Sequence, residues 1–295
     1  MYMTSYQELY PFTSHWIDLG GHRLHYLDEG PRNATPIVMC HGNPTWSFYY
    51  RTLIPELSQN YRVIVPDHMG CGYSDKPQNY NYTLEQHIQN LEKLIEYLGL
   101  ENIHLALHDW GGGIGMGYAT RHPTNVASSI IFNTAAFYLP AVPLVLKLAR
   151  SPILGEVMLR GVNLFASMAV YFAIKQHHRM TRQVRAGYLA PYNSWENRIA
   201  IYRFVQDIPL AQTHPTRTTV DAIDSKLYSL RNLPMLIIWG AGDFIFTVKD
   251  FLAGWQQRFP EAEVHILENA GHYVVEDAHE IILPLMSQFL ASATK

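Results

Sequence analysis

The stretch Ile103-His104-Leu105-Ala106-Leu107-His108-Asp109-Trp110-Gly111-Gly112-Gly113 decides how the rest of the chain is read. Ile103 to Leu107 is a short, mostly apolar run of the kind that forms a buried strand. After Gly111 a helical pattern runs to about His122. Strand, sharp turn and helix are the context of a nucleophile elbow. There, small residues after the turn let the backbone fold tightly and lift one side chain above the sheet. The lifted side chain is Asp109. A serine hydrolase has Ser at this position and Gly two residues before it, where this chain has Leu107. A carboxylate is ionised at neutral pH and needs no base to activate it. It transfers acyl groups poorly, but it displaces leaving groups from an sp³ carbon to form an alkyl-enzyme ester. Asp is also a favoured helix N-cap, so the turn alone leaves both roles open.

Outward from the elbow, the same alternation repeats. Trp16 to Leu19 and Arg23 to Leu27 flank Gly20-Gly21, a two-residue hairpin signal. The runs Ile37–Cys40, Val63–Val65, Ser129–Phe132, Met235–Trp239 and Val264–Leu267 read as strands covered on both faces. Between them, Leu84, Ile88, Leu91, Leu94, Ile95 and Leu98 repeat at helical spacing, with Thr83 and Gln86 as a capping box and Gly99 as the stop. Further helices are expected over about Val248–Arg258 and Ala278–Leu290. Asp277 and Glu280 are the cap pair of the last one, and Pro284 is a point of disturbance within it. Strands alternating with helices give an α/β fold: a mostly parallel eight-stranded sheet with helices on both faces. One interval breaks the rhythm, from Phe132 to Met235. It is helical in pattern and rich in Tyr, Phe, Met and Leu, so a helical cap is expected there. The expected division is a core of residues 1–134 and 215–295 and a cap of residues 135–214. The cleft between cap and sheet edge is the expected site.

Composition narrows the function classes. Charged residues are only 16 %, against about 25 % in a typical soluble chain. The net charge of −3, with no run of like charge forming a tail or basic patch, makes no case for nucleic acid. Two cysteines, Cys40 and Cys71, are too few for a disulfide scaffold and read as buried thiols. Met1 to Tyr10 has no apolar core of a signal peptide, so a cytoplasmic location is expected. The clean apolar run Leu164–Ile174 falls short of the roughly 20 residues of a spanning helix. It suits a greasy interior, or contact with a membrane surface or partner.

Four residues complete the chemistry. The loop His41-Gly42-Asn43-Pro44 follows a strand, where α/β-hydrolases supply one oxyanion-hole N–H; the residue after the nucleophile, here Trp110, supplies the other. The Asn43 amide and Trp110 indole are further N–H donors for a departing anion. His272, in Ala270-Gly271-His272 after the last strand, stands where the triad histidine falls in the order nucleophile, acid, histidine. It is the candidate general base. The acid belongs after one of two strands. Asn133 follows the first and carries no charge, so Asp243 in Gly240-Ala241-Gly242-Asp243 is chosen to orient His272 and stabilise its imidazolium.

Together, His41 to Arg51, His108 to Gly112 and Gly271-His272 resemble the haloalkane dehalogenases of the α/β-hydrolase fold. Asn43 and Trp110 with Asp243 as acid look like the third dehalogenase subfamily. Pro66 to Pro77, Asn133 to Phe137, Pro191 to Trp195, Asn197-Arg198 and Phe204 to Leu210 are more similar to a group inside it, the β-lactone decarboxylases of bacterial long-chain olefin biosynthesis. That resemblance runs from about Gly30 to Leu290, cap included. It implies attack by Asp109 on the lactone ring carbon bearing oxygen. The departing carboxylate is held by Asn43 and Trp110, and carbon dioxide is then lost to leave a cis-alkene. It implies no metal and no organic cofactor, a lipophilic substrate, and assembly with other enzymes of the pathway or with further copies. An apolar cap (Phe137, Leu144, Leu148, Leu164, Phe165, Phe172) suits two alkyl chains. The alternative is a haloalkane dehalogenase, in which Asp109 displaces halide and His272 drives hydrolysis. An epoxide hydrolase needs acid tyrosines from the cap, with Tyr138, Tyr171, Tyr188, Tyr192 and Tyr202 as candidates; Asn43 argues against it. A non-catalytic hydrolase-like binding protein would be expected to lose a triad member, and this chain has candidates for all three.

Overall fold

The computed structural model describes residues 6–138 and 149–293. Leu144 and Leu148 lie outside the described residues. Eight strands form one sheet: β1 (Ser14–Asp18), β2 (Arg23–Glu29), β3 (Pro36–Cys40), β4 (Arg62–Pro66), β5 (Ile103–Asp109), β6 (Val126–Thr134), β7 (Met235–Gly240) and β8 (Glu263–Leu267). The order is β1-β2-β4-β3-β5-β6-β7-β8. From β4 to β8 every pairing is parallel, and β2 is antiparallel to both β1 and β4. The hairpin forms as expected. Gly20 and Gly21 both have positive φ, 76° and 90°, and Leu19 N–H bonds to the His22 carbonyl across them.

Period-two alternation sends each strand's apolar residues to two cores. Val38 and Cys40 of β3 join Leu105 and Leu107 of β5 against the helix Leu84–Tyr97. Ile37 and Met39 join Ala106 and Ile130 against Ile282, Met286 and Leu290 of the C-terminal helix. Thr83 caps the first of these helices by accepting from Gln86 N–H. β8 departs from expectation. It is an edge strand: Val264 and Leu267 pack half-buried on the two cores, and Ile266 is 43 % exposed.

The last helix also differs. It spans Val274–Ala293 and breaks at Ala278 (φ −147°, ψ 29°), not at Pro284. Asp277 does not cap it. Its carboxylate instead accepts from the N–H groups of Lys175, Gln176 and Gly271, tying the last loop to the segment between β6 and β7. Those donors lie outside the last helix, and a through-space partner is invisible to a local cap pattern.

Among the described residues, the interval between β6 and β7 holds helices and no strand. Helix Leu164–Phe172 buries Ala166 and Val170. Helices Arg182–Leu189 and Ile199–Gln206 follow. None of the described helices is long and apolar enough to cross a membrane.

Candidate active site

The loops after β3, β5, β7 and β8 leave the sheet at its carboxyl edge, beside the point where strand order reverses between β3 and β5. That is where ligands bind in open α/β sheets. Asp109 ends β5 with φ 52° and ψ −125°, a conformation rare for any residue with a Cβ and worth roughly 1–3 kcal/mol of strain. It does not cap the helix Trp110–Arg121 through its side chain. Leu107, which stands where the serine pattern has glycine, is accommodated from the other side. Gly115 of that helix faces it, and a Cβ there would overlap the leucine.

Asp109, His272 and Asp243 lie in one row. His272 Nε2 is 3.6 Å from Asp109 Oδ2, and His272 Nδ1–H donates to Asp243 Oδ2 at 2.8 Å. All three side chains are buried. Burial pushes the Asp109 carboxyl up from its ordinary value. His272 and the N–H groups of Asn43 and Trp110 oppose that without cancelling it. Burial alone would lower the His272 pKa. The adjacent Asp243, by charge and hydrogen bond, and then Asp109 outweigh it and raise it.

The donors are partly committed. Asn43 N–H bonds Asp109 Oδ1 at 2.7 Å, so both backbone N–H groups assigned to an oxyanion hole rest on the Asp109 carboxylate. The Asn43 side-chain amide donates to the Ile201 carbonyl of helix Ile199–Gln206 at 3.3 Å. It is therefore less free than expected, with one N–H remaining. Among the described residues the Trp110 indole N–H has no acceptor. The ring packs 5.2 Å from Phe204 and lines the cavity.

Two residues act in this geometry without a sequence-level role. Asn133, at φ 23°, donates to Asp243 Oδ2 at 3.0 Å and bridges the Gly240 N–H and carbonyl. His108 donates its Nε2–H to the His272 carbonyl at 2.9 Å and stacks on Tyr49. Their signals were adjacency to Asp109 and the alternative acid position, which name a place but not a partner.

A cavity of about 590 Å³ opens over the row. Asn43, Asp109, Trp110 and His272 line it, while Asp243 lies behind His272. Phe137, Leu164, Phe165 and Phe172 form part of its apolar wall. Of the five tyrosines considered as acids for epoxide opening, only Tyr138 lines it. The hydroxyls of Tyr171, Tyr188 and Tyr192 bond Arg185, Glu276 and the Thr45 carbonyl. Among the described residues no cluster of side chains fits a metal ion.

Comparison with known families agrees with this architecture: the model of the α/β-hydrolase fold matches residues 35–278. The chain belongs to the α/β-hydrolase family. Within it, this α/β-hydrolase is 45 % identical over 288 residues to the cis-3-alkyl-4-alkyloxetan-2-one decarboxylase of Shewanella oneidensis, covering 96 % of this chain and 89 % of that one. It is 42 % identical to the decarboxylase of the same name from Xanthomonas campestris, covering 95 % and 97 %. A haloalkane dehalogenase of Mycobacterium tuberculosis is 32 % identical, covering 93 % and 94 %. The crystal structure of a haloalkane dehalogenase from Bradyrhizobium elkani superposes with a TM-score of 0.86 at 24 % identity, covering 96 % and 99 %, a likeness of fold.

Proposed function

We propose that this α/β-hydrolase converts cis-3-alkyl-4-alkyloxetan-2-ones to cis-alkenes and carbon dioxide. The observation that carries the reading is the row Asp109–His272–Asp243 at the floor of an apolar cavity, in a chain 45 % identical to a decarboxylase of such lactones. Asp109 is the nucleophile. Its carboxylate attacks the ring carbon bearing oxygen, the C–O bond breaks, and the ring oxygen leaves as part of a substrate carboxylate. The C–CO₂ bond then breaks, its electrons form the alkene, and the bond to Asp109 is released. Relief of ring strain drives the opening. Trp110 and Asn43 hold the departing carboxylate by N–H donation, the aimed-donor arrangement that stabilises developing charge. His272, oriented by Asp243, balances the charge of Asp109 and serves as base where an ester must be hydrolysed. The wall of phenylalanines and leucines fits two alkyl chains.

Dehalogenation is the second reading, favoured by the dehalogenase relative and by the same two donors, which suit a halide. Epoxide opening is disfavoured because three of the five cap tyrosines spend their hydroxyls elsewhere. We also infer that residues 135–214 form the cap and that the protein works in the cytoplasm, alone or assembled with enzymes that make its lactone. The cap assignment is supported by the lining contributed from Ala149 to Pro209, and by helix Pro215–Leu227 packing on the core helix Trp110–Arg121.

Incubation with a cis-dialkyl β-lactone should yield cis-alkene over many turnovers by gas chromatography, and none with Asp109→Ala. Intact lactone together with halide release from bromoalkanes would establish the second reading. Full activity of Asp109→Ala would end both.

A further inference from the structure

The cavity mouth is rimmed by large apolar side chains that also face water. Met168, Phe172 and Phe244 line the cavity and are 40 %, 61 % and 51 % exposed. Tyr171, beside Phe172, is 45 % exposed. Apolar side chains gathered in this way mark a contact surface.

Charge identifies the partner. From Tyr171 to Arg185 the sequence carries Lys175, Arg179, Arg182, Arg185 and two histidines, and no carboxylate, in a chain whose net charge is −3. These charges are spaced rather than run together, which hides them from a search for runs. They flank the rim. The Arg185 guanidinium lies 4.2 Å from the centre of the Tyr171 ring and donates to its hydroxyl. The Lys175 stem lies against Gly242, two residues from Phe244. The nearby acids are occupied: Glu280 pairs with Arg179 at 2.7 Å, and Asp277 accepts three backbone N–H groups. Among the described residues, Lys175 and Arg185 make no ion pair.

We propose that this face of the cap docks on the surface of an anionic phospholipid bilayer. The rim enters the acyl boundary and the cations meet lipid phosphates, the arrangement by which amphipathic surfaces bind membranes without spanning them. A lipid surface fits better than a protein partner because the mouth lies inside the patch. A protein seated there would seal the cavity, whereas acyl chains are continuous with its apolar wall. The ligand then enters from lipid without crossing water.

The test needs no substrate, so it is independent of the reaction. The full chain is floated with vesicles of phosphatidylcholine alone or mixed with phosphatidylglycerol. Binding to the mixed vesicles should exceed that to the neutral ones by about tenfold or more, in line with the contribution of each cation at an anionic surface. High salt and the double variant K175E/R185E should both reduce it by a similar factor, with the melting temperature of the variant as the folding control. Equal binding to both vesicle types, no binding, or full binding by the folded double variant would overturn the proposal. If the variant does not fold, binding by the natural chain that is indifferent to salt would overturn it.

Discussion

The imidazole of His108 donates its Nε2–H to the backbone carbonyl of His272 at 2.9 Å, across 164 residues of sequence. The residue before Asp109 thus holds the loop that carries the ring opposite Asp109. One buried hydrogen bond ties the end of β5 to the loop after β8, past the intervening β6 and β7. A buried carbonyl left unpaired costs about 1–3 kcal/mol. His108→Phe should therefore lower stability by about that amount, read by denaturant melting, and lower kcat with little change in KM. His108→Gln, which keeps a donor, should recover part of kcat.

Asn133 should behave as a positioning residue. It donates to Asp243 Oδ2 and bridges Gly240, all within the buried floor of the site. Asn133→Ala should lower the melting temperature, by the roughly 1–3 kcal/mol of each unsatisfied buried group. It should reduce kcat at unchanged KM, because His272 loses the fixed orientation of its partner. An unchanged kcat in a folded variant would remove this role.

The pH profile carries a sign. As the proposed nucleophile, Asp109 would attack only when ionised, and burial raises its pKa above the ordinary value of about 3.9. Activity should therefore fall with decreasing pH, and its acid limb should begin at higher pH than for an exposed carboxylate. The positive charge of His272 opposes that shift. Residual activity of His272→Gln should show the acid limb moved further up. The measurement is kcat/KM for alkene formation across pH.

Trp110→Phe keeps a ring against Phe204 and removes the indole N–H of a ring that lines the cavity, the proposed donor to the leaving group. Loss of a single aimed donor should lower kcat by roughly 10²–10³-fold. Steady-state kinetics on the lactone would check it. Gly42→Ala should be more disruptive, since a Cβ there overlaps the Asp109 carboxylate.

The sequence by itself determined the strand ladder, the elbow at Asp109 and the residues worth testing. Those signals are local: apolar β-branched runs, a glycine-rich turn, and the loops that follow strands. Ile37–Cys40 and Met235–Trp239 read as buried strands because hydrophobic pattern depends only on near neighbours. Tertiary structure alone decided which polar groups meet. Asn133 finds Asp243 across 110 residues, Asp277 leaves its helix for loop N–H groups, and Asn43 shares its amide with the Ile201 carbonyl. Val264–Leu267 turned out to be an edge strand because strand order, not composition, decides what covers it. A hydrogen bond is set by distance in space. The sheet brings together residues whose separation along the chain carries no trace of their contact.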